Sequence, residues 1–230
     1  MKRFLALWAL ALTLAAGPWL LTPAPALADT SSDQQQAEAA TDDTQATEDS
    51  ADAQAPEIVE MTMGPEDAKV TLVEYASFTC PHCATFHKST FKQLKSDYID
   101  TGKIRFVYRD VYFDRFGLWA SMVARCGGPE RFFGITGMLY DQQRDWLADG
   151  DPVTVSQNLR RIGKVAGLDE AQLDACLADE AKAKALVDWF QKNAEEDEVD
   201  STPTLRIDGE AYSNMSFAEL SEILDGKLAE

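Results

Sequence analysis

The stretch Cys80-Pro81-His82-Cys83 (CPHC) decides the fold, because an apolar run of strand character changes there into a pattern of helical period. The run before it, residues 69–77 (KVTLVEYAS), has the length and composition of a buried central strand. After it, apolar residues recur at three- and four-residue steps, which predicts a helix ending near residue 102. Residues 103–108 (KIRFVY) return to strand character. Strand, helix and strand together predict a βαβ unit with a right-handed crossover.

The remainder of the chain continues with helices and closes with a hairpin and a helix. Four helices are expected over residues 114–126, 129–146, 152–165 and 169–194. Asp208-Gly209 separates the β-rich segments 204–207 and 210–212, which predicts a two-residue hairpin turn, and a capping sequence at 216–219 begins a last helix. The order βαβ, helical block, ββα predicts an α/β protein with a thioredoxin fold and a helical subdomain inserted at about 113–178.

The first 57 residues predict two segments outside the folded domain. Residues 1–28 contain Lys2-Arg3, an apolar run and Ala26-Leu27-Ala28, the pattern of a secretory signal peptide cleaved after Ala28. An uncleaved membrane anchor is the alternative, since the apolar run approaches the ~18 residues that a span needs. Residues 29–57 carry nine acids and no Lys or Arg, which predicts a disordered acidic linker. The folded domain is therefore expected over residues 58–230.

The charge of the chain excludes some classes of partner. The formal net charge is −18, and residues 58–230 keep 30 acids against 19 bases. A negative field of this kind disfavours binding to nucleic acid and to anionic membrane surfaces. We therefore expect no nucleic-acid partner.

The four cysteines, in an exported chain, predict disulfides. Four cysteines allow three connectivities, of which only Cys80–Cys83 with Cys126–Cys176 keeps the close pair together. Cys126 and Cys176 fall on different predicted helices, without a helix start or a proline beside either. A structural disulfide is therefore favoured there over a second redox pair.

The close pair has the features of a reactive dithiol. Cys80 stands just before a helix N-terminus, where unpaired amides and the helix dipole lower the pKa of a thiol. His82 could add a further donor or a positive charge, and Cys83, one turn later, would be the less exposed resolving thiol. A stabilised thiolate favours the reduced form, so the Cys80–Cys83 disulfide is expected to be an oxidant.

A zinc half-site is the alternative interpretation of this pair. Cys80, Cys83 and His87 share one face of the predicted helix, which could give three ligands. No second cysteine pair stands at ligand spacing in the sequence. We therefore expect neither a metal nor another cofactor.

Two further positions are candidates for the same site. Thr202-Pro203 could supply a cis-proline turn, and an extended substrate could pair with the backbone of Thr202 as an added strand. An ordinary trans proline opening a strand is the alternative. Glu74, on the first predicted strand, could relay a proton to or from Cys83 if it is buried, or could reach solvent or a base at the strand end; the two interpretations stand equal.

These residues together resemble the DsbA-type periplasmic thiol oxidases. The resemblance rests on SFTCPHC at 77–83, the strand containing Glu74, Arg109-Asp110, the run from Gly167 to Leu177, and TPTLRIDG at 202–209. Asp200, where a glycine is common, and Val111-Tyr112, where Phe-Pro is frequent, depart from the pattern of the family.

The resemblance implies an oxidase that donates its disulfide to reduced exported proteins and is reoxidised by a membrane quinone-linked partner. It implies a periplasmic protein in which Cys80 is the nucleophile, Cys83 resolves, His82 tunes the thiolate and Thr202-Pro203 contacts substrate. We expect this protein to act as a monomer. The resemblance also supports the Cys126–Cys176 bridge. Two other functions stay open: a disulfide isomerase or reductase, and a redox-inert chaperone or assembly factor.

Overall fold

The computed structural model describes residues 56–230. The predicted signal peptide, 1–28, lies outside the described residues, as does the predicted linker, 29–57, apart from Pro56 and Glu57.

A five-stranded sheet forms the centre of the described part. Its strands are β1 (Met61–Met63), β2 (Val70–Ala76), β3 (Ile104–Asp110), β4 (Thr204–Ile207) and β5 (Glu210–Ser213). They lie in the order β1-β3-β2-β4-β5. Only β2 and β3 are parallel, as the βαβ unit requires, and the other neighbours are antiparallel. The central position of β2 explains its continuous apolar sequence, because both of its faces are covered.

Helices surround this sheet and fill the interval between β3 and β4. They are α1 (Pro81–Lys88), α2 (Thr90–Leu94), α3 (Arg115–Cys126), α4 (Gly128–Asp141), α5 (Gln143–Leu147), α6 (Pro152–Val165), α7 (Glu170–Leu177), α8 (Glu180–Glu196) and α9 (Phe217–Ala229). A π-helical segment, Lys95–Ile99, follows α2. The predicted order of strands, helical block, hairpin and last helix is thus confirmed.

Three helices expected to be continuous are interrupted. The helix predicted from Pro81 to residue 102 breaks at Ser89, whose hydroxyl donates back to the Thr85 carbonyl at 2.8 Å. The predicted 129–146 helix is interrupted at Gln142, and the predicted 169–194 helix at Asp179, which accepts the backbone N–H of Lys182 at 2.8 Å and so begins α8. The apolar residues keep their three- and four-residue spacing across each break, so this spacing alone does not predict where the helix is interrupted.

Strand β1 was not predicted. It has three residues, and only Met61 is buried, so it shows no alternation in the sequence. It pairs antiparallel with β3, with Met61 opposite Tyr108. Arg109, on β3, donates to Glu60 at 2.7 Å and fixes the chain just before this strand.

The helical block is held to the sheet by a buried ion pair. Arg125, near the end of α3, donates to Asp110 at the end of β3 through two nitrogens, at 2.8 and 2.9 Å. Both side chains are almost fully enclosed. Arg125 also donates to the carbonyl of Val59 at 2.9 Å, so that one side chain joins the helical block, the sheet and the start of the domain.

Candidate active site

Cys80 caps helix α1 at the edge of the sheet. Its backbone is extended, with φ −78° and ψ 119°, and Pro81 follows in the first helical turn. The Cys80 sulfur accepts the backbone N–H of Cys83 at 3.3 Å. A sulfur therefore occupies the place of an N-cap oxygen, where the free amides of the helix favour a negative charge.

The two thiols of the CPHC stretch differ in their surroundings. Both are free, so the structure describes the reduced pair. Cys80 is 7% exposed, whereas Cys83 is fully buried. Only the sulfur of Cys80 can therefore be reached from outside.

The pKa of Cys80 is lowered to about 5. The largest cause is the hydrogen bond from the Cys83 thiol, and the Thr202 side chain and the backbone N–H groups of Cys83 and His82 add to it against the opposing effect of burial. The pKa of Cys83 is raised well above its usual value, first by burial, then by its hydrogen bond to Cys80 and the charge of Glu74. At neutral pH the pair therefore carries one thiolate, on Cys80.

His82 is exposed at the start of α1. Its backbone N–H donates a hydrogen bond to the Cys80 sulfur and so helps to lower the pKa of that thiol. A role of its imidazole in tuning the thiolate stays a prediction.

Thr202-Pro203 lies directly against Cys80, although 122 residues separate Thr202 from it in sequence. The peptide bond between Thr202 and Pro203 is cis. In its protonated form the Cys80 thiol donates to the Thr202 carbonyl at 3.5 Å. The turn is closed by Thr204, whose hydroxyl donates to the carbonyl of Ser201 at 2.8 Å. The two sequence motifs therefore form one site.

Glu74 is fully buried in the middle of β2 and pairs with His87, for which the sequence indicated only a possible role as a metal ligand. His87, one turn after Cys83 on α1, places Nε2 at 2.9 and 3.1 Å from the two carboxylate oxygens of Glu74. Glu74 is therefore buried, as the proton-relay interpretation requires, and it also reaches a base, as the alternative requires. The proton relay itself stays a prediction. The helical spacing Cys83-x-x-x-His87 was the available signal for this pair.

Gln143 was missed by the sequence analysis. It lies on α5, is buried, and donates from Nε2 to the carbonyls of Phe78 and Cys80, each at 2.8 Å. It therefore joins the helical block to the loop that presents Cys80. On the other side of that loop, the Thr79 hydroxyl donates to Asp114, the cap of α3, at 2.8 Å.

Cys126 and Cys176 are joined by a disulfide with a Cα–Cα distance of 5.8 Å and a sequence separation of 50 residues. The bond links the end of α3 to α7 within the helical block. Cys80 and Cys83 instead lie at the start of α1, so the four cysteines form two separate pairs.

Residues 56–226 match the family described as Thioredoxin. A relative from Rickettsia bellii, named "Putative protein-disulfide oxidoreductase", is 31% identical over 172 residues, which cover 74% of this chain and 65% of the relative. The chain thus spans less than two thirds of the length of this curated relative.

Two solved structures are similar in fold. That of a protein-disulfide isomerase from Novosphingobium aromaticivorans has a TM-score of 0.67 and 26% identity, covering 74% of this chain and 98% of the other. That of alpha-DsbA1 from Wolbachia pipientis has a TM-score of 0.67 and 23% identity, covering 77% and 95%.

The parallel β2–β3 pair, the dithiol at the start of α1 and the cis-proline turn beside it define a thioredoxin-fold dithiol protein. The chain belongs to the thioredoxin family. The predicted fold and the predicted resemblance to DsbA-type proteins are confirmed.

Within residues 56–230, no helix is both long and apolar enough to cross a membrane, and no cluster of three or more His, Cys, Asp or Glu side chains could hold a metal.

Proposed function

We propose that this protein is a periplasmic protein-disulfide oxidase that donates its Cys80–Cys83 disulfide to reduced exported proteins. The observation that carries the proposal is the environment of the Cys80 sulfur, which accepts hydrogen bonds from the Cys83 thiol and from the first amides of α1. These contacts stabilise the thiolate, and therefore the reduced form, so that the oxidised form tends to give its disulfide away.

The reaction has two exchange steps. A substrate thiolate attacks the Cys80 sulfur, the Cys80–Cys83 bond breaks, and its electron pair passes to Cys83. A second substrate thiolate then attacks the substrate sulfur of the mixed disulfide, and Cys80 leaves as a thiolate. The substrate is oxidised by two electrons and the enzyme dithiol is formed. The substrate thiols release two protons; Cys83 takes one, and the other goes to solvent, because Cys80 stays ionised at neutral pH.

Three further roles belong to this proposal. Glu74 relays the proton to and from Cys83, which is supported by the effect of its charge on that thiol. The Thr202 backbone, at 3.5 Å from the Cys80 sulfur, pairs with an extended substrate segment. The imidazole of His82, exposed beside the site, tunes the thiolate in the presence of substrate.

The location and the partners complete the proposal. The signal-peptide pattern of residues 1–28 supports export to the periplasm. A membrane quinone-linked protein reoxidises the dithiol, with the Cys80 thiolate as the attacking nucleophile. The enzyme acts as a monomer, and the Cys126–Cys176 disulfide is structural.

Disulfide transfer to a reduced, unfolded polypeptide with two cysteines tests this function. The oxidised protein should oxidise the substrate stoichiometrically, and Cys80→Ser and Cys83→Ser should each abolish transfer, because neither variant can form the Cys80–Cys83 disulfide. A variant with Ala at both Cys126 and Cys176 is the matched control, and should still transfer its disulfide. Failure of the wild-type protein to oxidise the substrate would refute the proposal.

An isomerase is the second candidate, because one similar structure is named a protein-disulfide isomerase. A scrambled substrate distinguishes the two: an isomerase in its reduced form restores native pairing, whereas an oxidase does not. The redox-inert chaperone would retain its activity when Cys80 and Cys83 are both replaced.

A further inference from the structure

We propose that Glu74 and His87 form one proton-exchange pair, and that the cavity beside His87 connects this pair to solvent. The inference rests on the proposed function, because it concerns the proton that Cys83 gains when the Cys80–Cys83 bond opens. In it Glu74 exchanges the proton with Cys83, and His87 is a positioning residue that holds Glu74 and recharges it.

The geometry makes the two side chains a unit. Nε2 of His87 lies within 3.1 Å of both oxygens of Glu74, and the His87 side chain is 4% exposed. The ring is fixed on both sides, by Tyr140 with a centroid distance of 4.1 Å and by Phe91 at 4.5 Å. All hydrogen bonds of His87 to other described residues use Nε2, which leaves Nδ1 as the nitrogen that can exchange a proton elsewhere.

A cavity of about 260 Å³ opens against this ring. Its wall includes Phe91, Phe133 and Thr136, and the hydroxyl of Thr136 is buried without a hydrogen-bond partner among the described residues. Water needs far less room than this, together with two or more polar partners. His87 lines this cavity, so in this proposal water there exchanges the proton with the His87 ring.

The other ionisable groups near this pair are either held neutral or already paired. The neighbours of His87 and Glu74 that could ionise are Cys83, Tyr108 and Tyr140 inside, and Lys92, Lys95 and Asp141 along the cavity. Burial raises the pKa of both tyrosines well above the usual value, so they stay neutral. The two lysines are paired, Lys92 with Asp141 at 3.9 Å and Lys95 with Asp100.

The proton balance is complete within this arrangement. Before reaction the Glu74–His87 pair carries one proton more than an ionised Glu74 beside a neutral His87 would carry. When substrate breaks the Cys80–Cys83 bond, this proton passes from the Glu74 carboxyl to the new Cys83 thiolate. His87 then takes one proton from solvent at Nδ1 and returns the pair to its first state. Reoxidation of the dithiol reverses each transfer.

The cavity can be closed without touching the pair. Gly137 lines it on α4, and a Cβ added there meets nothing within 4 Å. Gly137→Leu therefore adds bulk at the wall of the cavity and keeps both Glu74 and His87. Gly226→Leu is the matched control, since Gly226 lies on α9, away from the cavity, and its added Cβ also meets nothing within 4 Å.

The experiment follows reduction of the oxidised protein by dithiothreitol across pH, with a pH-indicator dye that records both the release of two protons by dithiothreitol and the uptake of one proton by the pair. The dependence of the rate on pH should differ between His87→Phe and the wild type, with the rate at pH 7 falling about tenfold in the variant. Gly137→Leu should slow proton uptake, while Gly226→Leu should match the wild type. An unchanged pH profile in His87→Phe, or equal uptake in the two glycine variants, would overturn the proposal.

Chemical rescue provides a second arm, which remains informative if His87→Phe fails to fold. Imidazole should restore proton uptake in His87→Ala, and pyrazole, a much weaker base of the same shape, should not. Adding Gly137→Leu should abolish the rescue, and rescue that survives the filled cavity would contradict the route. If the wild-type protein opens its disulfide with dithiothreitol but never oxidises a peptide, the proposed function fails while the proton pair is still tested.

Discussion

The backbone N–H of Cys83 points at the sulfur of Cys80 from 3.3 Å, while the Cys83 side chain is itself fully buried. One helical turn therefore gives the two sulfurs opposite conditions. The first lies among free amides and is stabilised as an anion, and the second lies in the apolar interior and is stabilised as a neutral thiol. Both conditions favour the reduced pair.

The first prediction concerns the hydrogen bonds of the Cys80 thiolate. The pKa of Cys80 should be about 5 in the wild-type protein and should rise in Cys83→Ala, which removes the largest cause of its lowering. Thr202→Val should raise the pKa less, because its hydrogen bond contributes less. Thiolate absorbance during a pH titration measures all three. A Cys80 pKa near ~8.5, the value of free cysteine, in the wild type would contradict this account.

The second prediction is a pH dependence of stability in the reduced protein. The Cys80 pKa is about 5 when folded and ~8.5 when unfolded, so its contribution is complete above ~8.5 and is lost as the pH falls toward 5. The free-energy difference of unfolding between the reduced and oxidised forms should therefore shrink from pH 8 to pH 5. Urea unfolding of both forms at several pH values measures it. A difference that is constant over this range would show that Cys80 is not the titrating group.

The third prediction separates the two disulfides. Cys80–Cys83 should open at much lower reductant concentrations than Cys126–Cys176, because only the first releases a stabilised thiolate. Replacing Cys126 and Cys176 by Ala should lower the free energy of unfolding by about 4 kcal/mol or less, as the chain-entropy account of a loop of this size gives. Alkylation with mass mapping under graded reductant gives the order. Simultaneous opening would argue against two separate roles.

The fourth prediction concerns Gln143, which supports the loop of Cys80. Gln143→Ala should lower the free energy of unfolding by about 1–3 kcal/mol, because it leaves the carbonyls of Phe78 and Cys80 buried without their partner. Gln142→Ala, a change at the adjacent position outside these bonds, is the control. Chemical denaturation compares them, and equal stability of the two variants would exclude the supporting role.

Much of the fold follows from the sequence because its strongest signals are local. The central strand, the helix start at Pro81 and the hairpin turn at Asp208-Gly209 each depend on a few neighbouring residues. Strand β1 was not predicted, because it has only three residues. The helix breaks at Ser89 and Asp179 were not predicted either, because they leave the apolar period of the sequence unchanged.

The part of the site that lies in short sequence motifs could be predicted, because the residue types and their spacing indicate the chemistry. Cys80 and Thr202 could be placed together because each matches half of a recognisable arrangement. The contacts of Gln143 and the pairing of Glu74 with His87 could not, since they join elements whose packing no sequence period specifies. His87 was visible only as a polar residue on the buried face of a helix.

The central claim is that the reduced Cys80–Cys83 pair is the stable one, and its equilibrium with glutathione tests this most directly. The wild-type protein is equilibrated at pH 7 in buffers of graded reduced and oxidised glutathione, and the free thiols at Cys80 and Cys83 are trapped and counted. The account predicts a midpoint more oxidising than about −200 mV, the poise of an oxidising compartment. A midpoint near −270 mV, typical of a reductase, would contradict it.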